Sequence, residues 1–311
     1  MELNDKIYVA GHNGLVGSAI VRKLKELGYW NIVTYSSKEY DLRITSHVHE
    51  LFSEHIGEIK YVFLAAAKVG GIKSNSTYKG EFIYDNLMIQ TNIINAAKLN
   101  NVKKLLFLGS SCIYPKMCNQ PIKEEYLLSG YLESSNDAYA IAKIAGIKMC
   151  QSYNQQYGTN YISVMPTNLY GIGDNYHSEN SHVIPGLIRK FHEAKENNIK
   201  DVICWGDGTP MREFLFSDDL ADACIFLINN YSDSDIVNIG TGKDMTIKEL
   251  TEIIKNIVYP EANVIFNGDL KLNGTPRKVL DTTKINTLGW HPKVSFQDGI
   301  KIAYSDFLDK N

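Results

Sequence analysis

Tyr139 and Lys143 stand four residues apart in the stretch Tyr-Ala-Ile-Ala-Lys, a spacing that puts both side chains on one face of a helix. An ammonium beside a phenol lowers the phenol's pKa, and a neighbouring hydroxyl can hydrogen-bond a carbonyl oxygen. Ser110 offers that hydroxyl where the apolar run Leu105-Leu106-Phe107-Leu108-Gly109 ends. The three groups together can polarise a ketone and deliver a proton to it, which is the equipment of a ketone reductase. The pair alone is weak evidence: with 19 Tyr, and 27 Lys once the five Arg are taken from 32 basic residues, about 1.6 such pairs arise by chance. Its setting adds weight, because residues 138–157 read as an amphipathic helix that stops at Gly158, and a glycine-rich turn lies near the N-terminus.

Those groups need a scaffold, and the chain before them supplies one. Ile7-Tyr8-Val9-Ala10 reads as a buried strand running into Gly11-His12-Asn13-Gly14-Leu15-Val16-Gly17, which opens a helix with apolar residues at Val16, Ile20, Leu24 and Leu27. Strand, glycine turn and helix in that order form a dinucleotide cradle, the pyrophosphate sitting on the free amides of the helix start. Gly11, Asn13, Gly14, Leu15, Val16 and Gly17 are the expected contacts. After a second strand, Ser36, Ser37 and Lys38 stand where an NAD-specific chain usually carries a carboxylate. Two hydroxyls and an ammonium suit a 2′-phosphate, so NADP(H) is the expected cofactor, with Asp41 and Leu42 near its adenine. Leu64, Ala65 and Ala66 end a third strand with small side chains that leave room for the cofactor, and Pro166, Asn168 and Leu169 follow the strand 161–165.

Alternating strands and helices specify a parallel sheet covered on both faces. The fold expected is α/β, a Rossmann-type doubly wound sheet over residues 1–171, with a smaller substrate lobe mainly from 172–311 and a strand at 236–240 returning to the main sheet. A chain of 311 residues with 44% hydrophobic content can bury a large core. A net charge of −3 provides no basic field for nucleic acid or acidic lipid, leaving small molecules or another copy of the chain as partners. The first residues carry no apolar signal core, and no stretch nears the roughly 20 apolar residues of a membrane span, so a cytoplasmic location is expected. The five cysteines, at 112, 118, 150, 204 and 224, match neither a disulfide framework nor a metal pattern and read as free thiols.

Longer strings carry a more specific signal: GHNGLVGSAI at 11, LLFLGSSCIYPK at 105, YAIAKIAGIK at 139, VMPTNLYG at 164, NSHVIP at 180, GTPMREF at 208 and NGTPRK at 273. Over essentially the whole chain they resemble the extended short-chain dehydrogenase/reductases, and within them the NADP-dependent epimerase-reductases of GDP-4-keto-6-deoxy sugars. That resemblance implies a homodimer with a nucleotide lobe and a sugar-nucleotide lobe. It implies that Tyr139 protonates the carbon-4 oxygen, that Lys143 holds the nicotinamide ribose, and that Ser110 hydrogen-bonds the sugar carbonyl. Cys112 and His182 are implied as the base and acid that invert carbons 3 and 5, and in an extended strand Cys112 would share a face with Ser110. Ser111, Asn168 and Trp205 join the implied substrate contacts, with Lys190, Arg212 and Arg277 placed for the nucleotide diphosphate.

The departures are informative. Asn13 and Ser37 stand where related sequences can carry Arg, which removes two candidate phosphate ligands. Ser111-Cys112 replaces the Asp-Glu pair of sugar-nucleotide dehydratases, arguing against dehydration. Two other readings stay open: carbon-4 reduction of a GDP-4-keto-6-deoxyheptose without inversion, and a non-catalytic NADP sensor, which would not need the Tyr, Lys and Ser present here.

Overall fold

The computed structural model describes residues 1–178, 181–270 and 274–310. Strand and helix alternate first as β1 (Lys6–Ala10), α1 (Leu15–Glu26), β2 (Ile32–Val33), α2 (Thr45–Ser53), β3 (Ile59–Leu64), α3 (Ile72–Thr77), α4 (Lys79–Leu99), β4 (Lys104–Leu108), α5 (Asp137–Tyr157) and β5 (Tyr161–Pro166). There follow β6 (Asn168–Tyr170), α6 (Val183–Glu196), β7 (Asp201–Cys204), β8 (Met211–Phe216), α7 (Ser217–Asn230) and β9 (Val237–Ile239). The chain finishes with β10 (Asp244–Thr246), α8 (Ile247–Val258), β11 (Asn263–Phe266), β12 (Arg277–Lys278), α9 (Thr283–Thr287) and α10 (Phe296–Lys310).

Six parallel strands form the main sheet in the order β2-β1-β3-β4-β5-β9. Alternation in β1 explains how one strand serves two cores. Ile7 and Val9 face Ile20 and Leu24 of α1 and Leu220 and Leu227 of α7, whereas Tyr8 and Ala10 face Leu51 and Phe52 of α2 and Ile147 of α5. Each fully buried Leu, Ile or Phe stabilises by about 1.5–3 kcal/mol before chain entropy is counted, so burial on both faces is what fixes the register. The strand order reverses between β1 and β3, and at such a switch point a crevice opens beyond the carboxyl ends of the strands.

A second sheet is centred on β8, with β10 antiparallel on one side and β12 and β6 parallel to it. Its core joins Ile188 and Phe191 of α6, Phe214 and Phe216 of β8, Leu250 and Ile254 of α8 and Phe307 of α10. The segment after residue 171 does not stay in this lobe. Helix α7 packs on α1, β9 extends the main sheet, and Ile285 and Trp290 enter the first core. Buried Glu213 ties these segments together, its carboxylate accepting from the amides of Gly242 at 2.7 Å and Leu280 at 2.8 Å. Among the described residues no helix is long and apolar enough to cross a membrane.

Candidate active site

The turn between β1 and α1 is shaped by lack of space. A Cβ at Gly17 would lie 2.1 Å from the Gly11 carbonyl oxygen, and one at Gly11, whose φ is +85°, would lie 2.6 Å from the amide nitrogen of Ala66. Gly14 caps α1 without a side-chain bond, and its first turn holds no acidic residue, so the amides at the helix start point unshielded into the crevice. Among the described residues the buried Nδ1 of His12 has no hydrogen-bond partner. Free amides, a tight glycine turn and an orphaned polar atom are what a dinucleotide pyrophosphate requires, and the residues fit one. Leu64 and Ala65 close the floor, the Ala65 amide donating to the Ala10 carbonyl at 3.0 Å. Leu15 and Val16 open α1, Asn13 lies in the turn itself, and Pro166 ends β5.

The end of β2 differs from the sequence reading, which placed no carboxylate there. The chain turns at residues 36–40, and Glu39 folds back so that its Oε2 accepts from both the amide and the hydroxyl of Ser36 at 2.7 Å. Those bonds, the hydroxyl's first, hold the Glu39 carboxyl below its usual range, with His12 near enough to contribute. That carboxylate, one residue beyond the stretch Ser36, Ser37 and Lys38, is taken up by Ser36. Ser37 and Lys38 are exposed. Asp41 is paired with Arg43 at 2.7 Å, and the Leu42 carbonyl accepts from Asn92 at 2.9 Å.

The candidate reacting groups gather at the end of β4. Gly146 lets α5 approach the sheet, since a Cβ there would lie 2.4 Å from Phe107, and this contact sets the height of Tyr139 and Lys143 above β4. Lys143 is 3% exposed; its Nζ donates to the Leu108 carbonyl at 2.8 Å and lies 4.9 Å from the Phe107 ring centroid and 5.8 Å from that of Tyr139. Burial pulls its pKa down to about 7. The Tyr139 phenol is not lowered as the pairing predicts: burial raises it first, a charge on Cys112 raises it further, and the hydrogen bond with Ser110 works the other way. A low-dielectric site penalises both charged forms, which outweighs their mutual attraction. The Tyr139 ring meets Phe82 edge to face at 6.5 Å.

Cys112 is not in an extended strand. Strand β4 ends at Leu108, and Ser110 caps a 3-10 turn over Ser111–Ile113, its hydroxyl accepting the Cys112 amide at 3.2 Å. A serine oxygen that captures a nearby amide competes with strand pairing, and the shared-face argument therefore does not apply. Proximity survives by another route: Cys112 Sγ accepts from Asn136 Nδ2 at 3.2 Å and from Lys278 Nζ at 3.7 Å, and Asn136 immediately precedes α5. Ser111, an expected substrate contact, is buried at 4% exposure.

On the smaller lobe, His182 caps α6 with its ring exposed to water, yet the surrounding protein holds its pKa below the ordinary imidazole value through desolvation. Among the described residues no hydrogen bond joins it to Cys112 or Tyr139; Asn180 and Asn273, which open two of the long strings, lie outside them. Lys190 donates to the Ile203 carbonyl at 2.7 Å and lies 5.3 Å from the ring of Trp205, whose 61% exposure leaves a flat aromatic face of the kind a purine stacks on. The Asn168 amide donates to the Glu213 carbonyl at 2.8 Å, and Leu169 packs against the first core. Register places Lys278 beside Arg212 and Arg277 beside Met211, so Arg212 and Lys278 share one face of the sheet and Arg277 takes the other. Arg277 is spent on Asp244 at 2.6 Å, whereas burial lowers the Arg212 pKa. Sequence reasoning named Arg277 and passed over Lys278, Asn136, His12 and Glu39; alternation within Pro-Arg-Lys was the one signal that could have separated the two cations.

Comparisons with known proteins agree with this geometry. The model of the NAD dependent epimerase/dehydratase family matches residues 7–240. A putative GDP-L-fucose synthase 2 from Arabidopsis thaliana is 54% identical over 309 residues, covering 99% of this chain and 93% of the relative. A GDP-L-fucose synthase from Escherichia coli K12 is 51% identical over 313 residues, covering 98% and 97%. Among solved structures, a GDP-D-glycero-L-gluco-heptose synthase from Campylobacter jejuni in the presence of NADPH superposes with a TM-score of 0.89 at 40% identity, covering 99% of each chain. The chain belongs to the NAD dependent epimerase/dehydratase family and, within it, to the GDP-L-fucose synthases, NADP(H)-dependent oxidoreductases of GDP-sugars.

Proposed function

We propose that the chain inverts carbons 3 and 5 of a GDP-4-keto-6-deoxyhexose and reduces its carbon-4 ketone, with Ser110, Cys112, Tyr139, Lys143 and His182 as the acting residues. The observation that carries the reading is the convergence of Ser110, Cys112, Tyr139 and Lys143 at the end of β4. NADPH supplies the hydride to carbon 4. Ser110 and Tyr139 hold the carbonyl oxygen, which gathers charge both when a neighbouring carbon loses its proton and when hydride arrives, so one pair of donors serves both steps. Cys112 takes the proton from carbon 3 or 5, and His182 returns one to the opposite face. Among the described residues Lys143 has a single acceptor, the Leu108 carbonyl, and a ribose hydroxyl fits its remaining donors. Trp205, Lys190 and Arg212 take the guanine and diphosphate.

The test is incubation of the enzyme with NADPH and a panel of GDP-4-keto sugars in deuterium oxide, products being read by NMR. Deuterium at carbons 3 and 5 and a 4-hydroxy product are expected from the wild type. Cys112→Ser should still reduce but incorporate no deuterium, because a hydroxyl is a far weaker base than a thiolate. Reduction without exchange in the wild type would refute the epimerase assignment. The same panel separates a second reading, reduction of a GDP-4-keto-6-deoxyheptose, which draws its support from the Campylobacter jejuni neighbour.

A homodimer is part of the proposal. Tyr84 and Leu99 on α4 and Ile141 and Tyr157 on α5 are all at least 45% exposed on two helices packed side by side, an apolar face suited to a second copy. A cytoplasmic location accords with all five cysteines being free.

A further inference from the structure

We infer that Lys278 is the counter-ion of Cys112, a positioning residue that keeps the sulfur available as the carbon base. The inference rests on the proposed epimerisation and adds a group that the catalytic set does not contain. Three observations carry it. First, the β8 register and strand alternation send Arg277 and Lys278 to opposite faces, and only Arg277 finds a carboxylate, on Asp244. Second, among the described residues Lys278 has no carboxylate within ion-pair distance, and its hydrogen-bonding partner is Cys112 Sγ at 3.7 Å. Third, Asn136 Nδ2 donates to the same sulfur from the other lobe at 3.2 Å. Two N–H donors, one of them charged, thus converge on one sulfur.

The other titratable groups nearby are consistent with this assignment. Tyr139 from α5 is coupled to Cys112, and its phenol is held neutral by burial. Cys118, on the turn after Cys112, also senses the Lys278 charge, but its burial raises its pKa and leaves it a thiol. In the step itself the sulfur lone pair takes the proton from the carbon beside the ketone, the C–H electron pair moves into the carbonyl to give an enolate, and an S–H bond forms. No oxidant or reductant is consumed. Lys278 stabilises the reactant anion and, once the sulfur is neutral, remains on the cleft face of β12 with Arg212, where the substrate's negative charge offsets it.

The inference predicts that replacing the ammonium with an uncharged chain of similar length slows every reaction of the thiolate while leaving the fold alone. Iodoacetamide labelling of the holoenzyme at pH 7, quantified on the Cys112 peptide by mass spectrometry, should be about tenfold slower in Lys278→Met than in the wild type, with Lys278→Arg close to the wild type. Carbon-3 deuterium exchange should fall by a similar factor at pH 7. Unchanged Cys112 labelling in Lys278→Met, with circular dichroism like the wild type, overturns the inference even if turnover falls, because a residue that merely shapes the cleft would not alter thiol reactivity. Absence of exchange in the wild type removes the epimerisation itself, an outcome distinguishable because it appears before any variant is made.

Discussion

Gly17→Ala isolates the steric basis of the cofactor cradle. The added Cβ would lie 2.1 Å from the Gly11 carbonyl oxygen, so the two backbones must part by about 1.3 Å to regain the 3.4 Å of an ordinary contact. The neighbour is backbone, with no flexible side chain to swing aside. Overpacking of this kind costs about 1–3 kcal/mol. Moving the start of α1 also draws its amides off the pyrophosphate, and losing one charge-assisted bond there costs about 1.5–3 kcal/mol. NADPH affinity should therefore fall by at least tenfold, with a melting temperature lower by several degrees. Gly14→Ala is the matched control: its Cβ would meet the same oxygen at 3.5 Å and its φ is −84°, so binding should change by less than about twofold. Fluorescence titration with NADPH and thermal unfolding measure both. A folded Gly17→Ala protein that binds NADPH as tightly as the wild type would show that the pyrophosphate sits elsewhere.

Two further substitutions address the catalytic helix. Tyr139→Phe should lower the rate of NADPH oxidation by a hundredfold or more with cofactor affinity preserved, since the phenol is the proton donor and the ring's packing on Phe82 is retained; a turnover like the wild type would exclude that role. Lys143→Met should inactivate the enzyme and yet raise its melting temperature at pH 7, on the order of 5 °C. Burial lowers the lysine's pKa from 10.5 to about 7, so folding penalises its charge: the penalty is absent above pH 10.5, grows as pH falls to 7, and is constant below. The gain in the variant should shrink as pH rises toward 10.5, and a loss of stability independent of pH would refute the linkage.

What could be read in the sequence was what lies close along the chain. The glycine turn follows its strand directly, and Tyr139 and Lys143 are one helical turn apart, so spacing alone places them. The geometry of Cys112 was misread because a hydroxyl two residues back captured its amide, and the bond from Ser36 to Glu39 was not foreseen because it forms through a turn. Lys278 and Cys112 are 166 residues apart and meet only because β12 pairs with β8, a register no local pattern encodes. The return of β9 to the main sheet was legible at residues 236–240, whereas the departure of α7 from the smaller lobe was not, because its apolar face does not say which core it joins.

The strand that brings Lys278 to Cys112 also sets an order of events during synthesis. The residues expected to cradle the dinucleotide lie before residue 170, and the main sheet is complete once β9 at 237–239 has been made. The groups proposed to meet the sugar-nucleotide are assembled only when residues 277–278 pair with β8 and residues 280–281 with the segment at Ile122, where the amide of Asp281 reaches the Ile122 carbonyl at 2.8 Å. A ribosome-bound chain can thus form the main sheet before Lys278 comes within reach of Cys112.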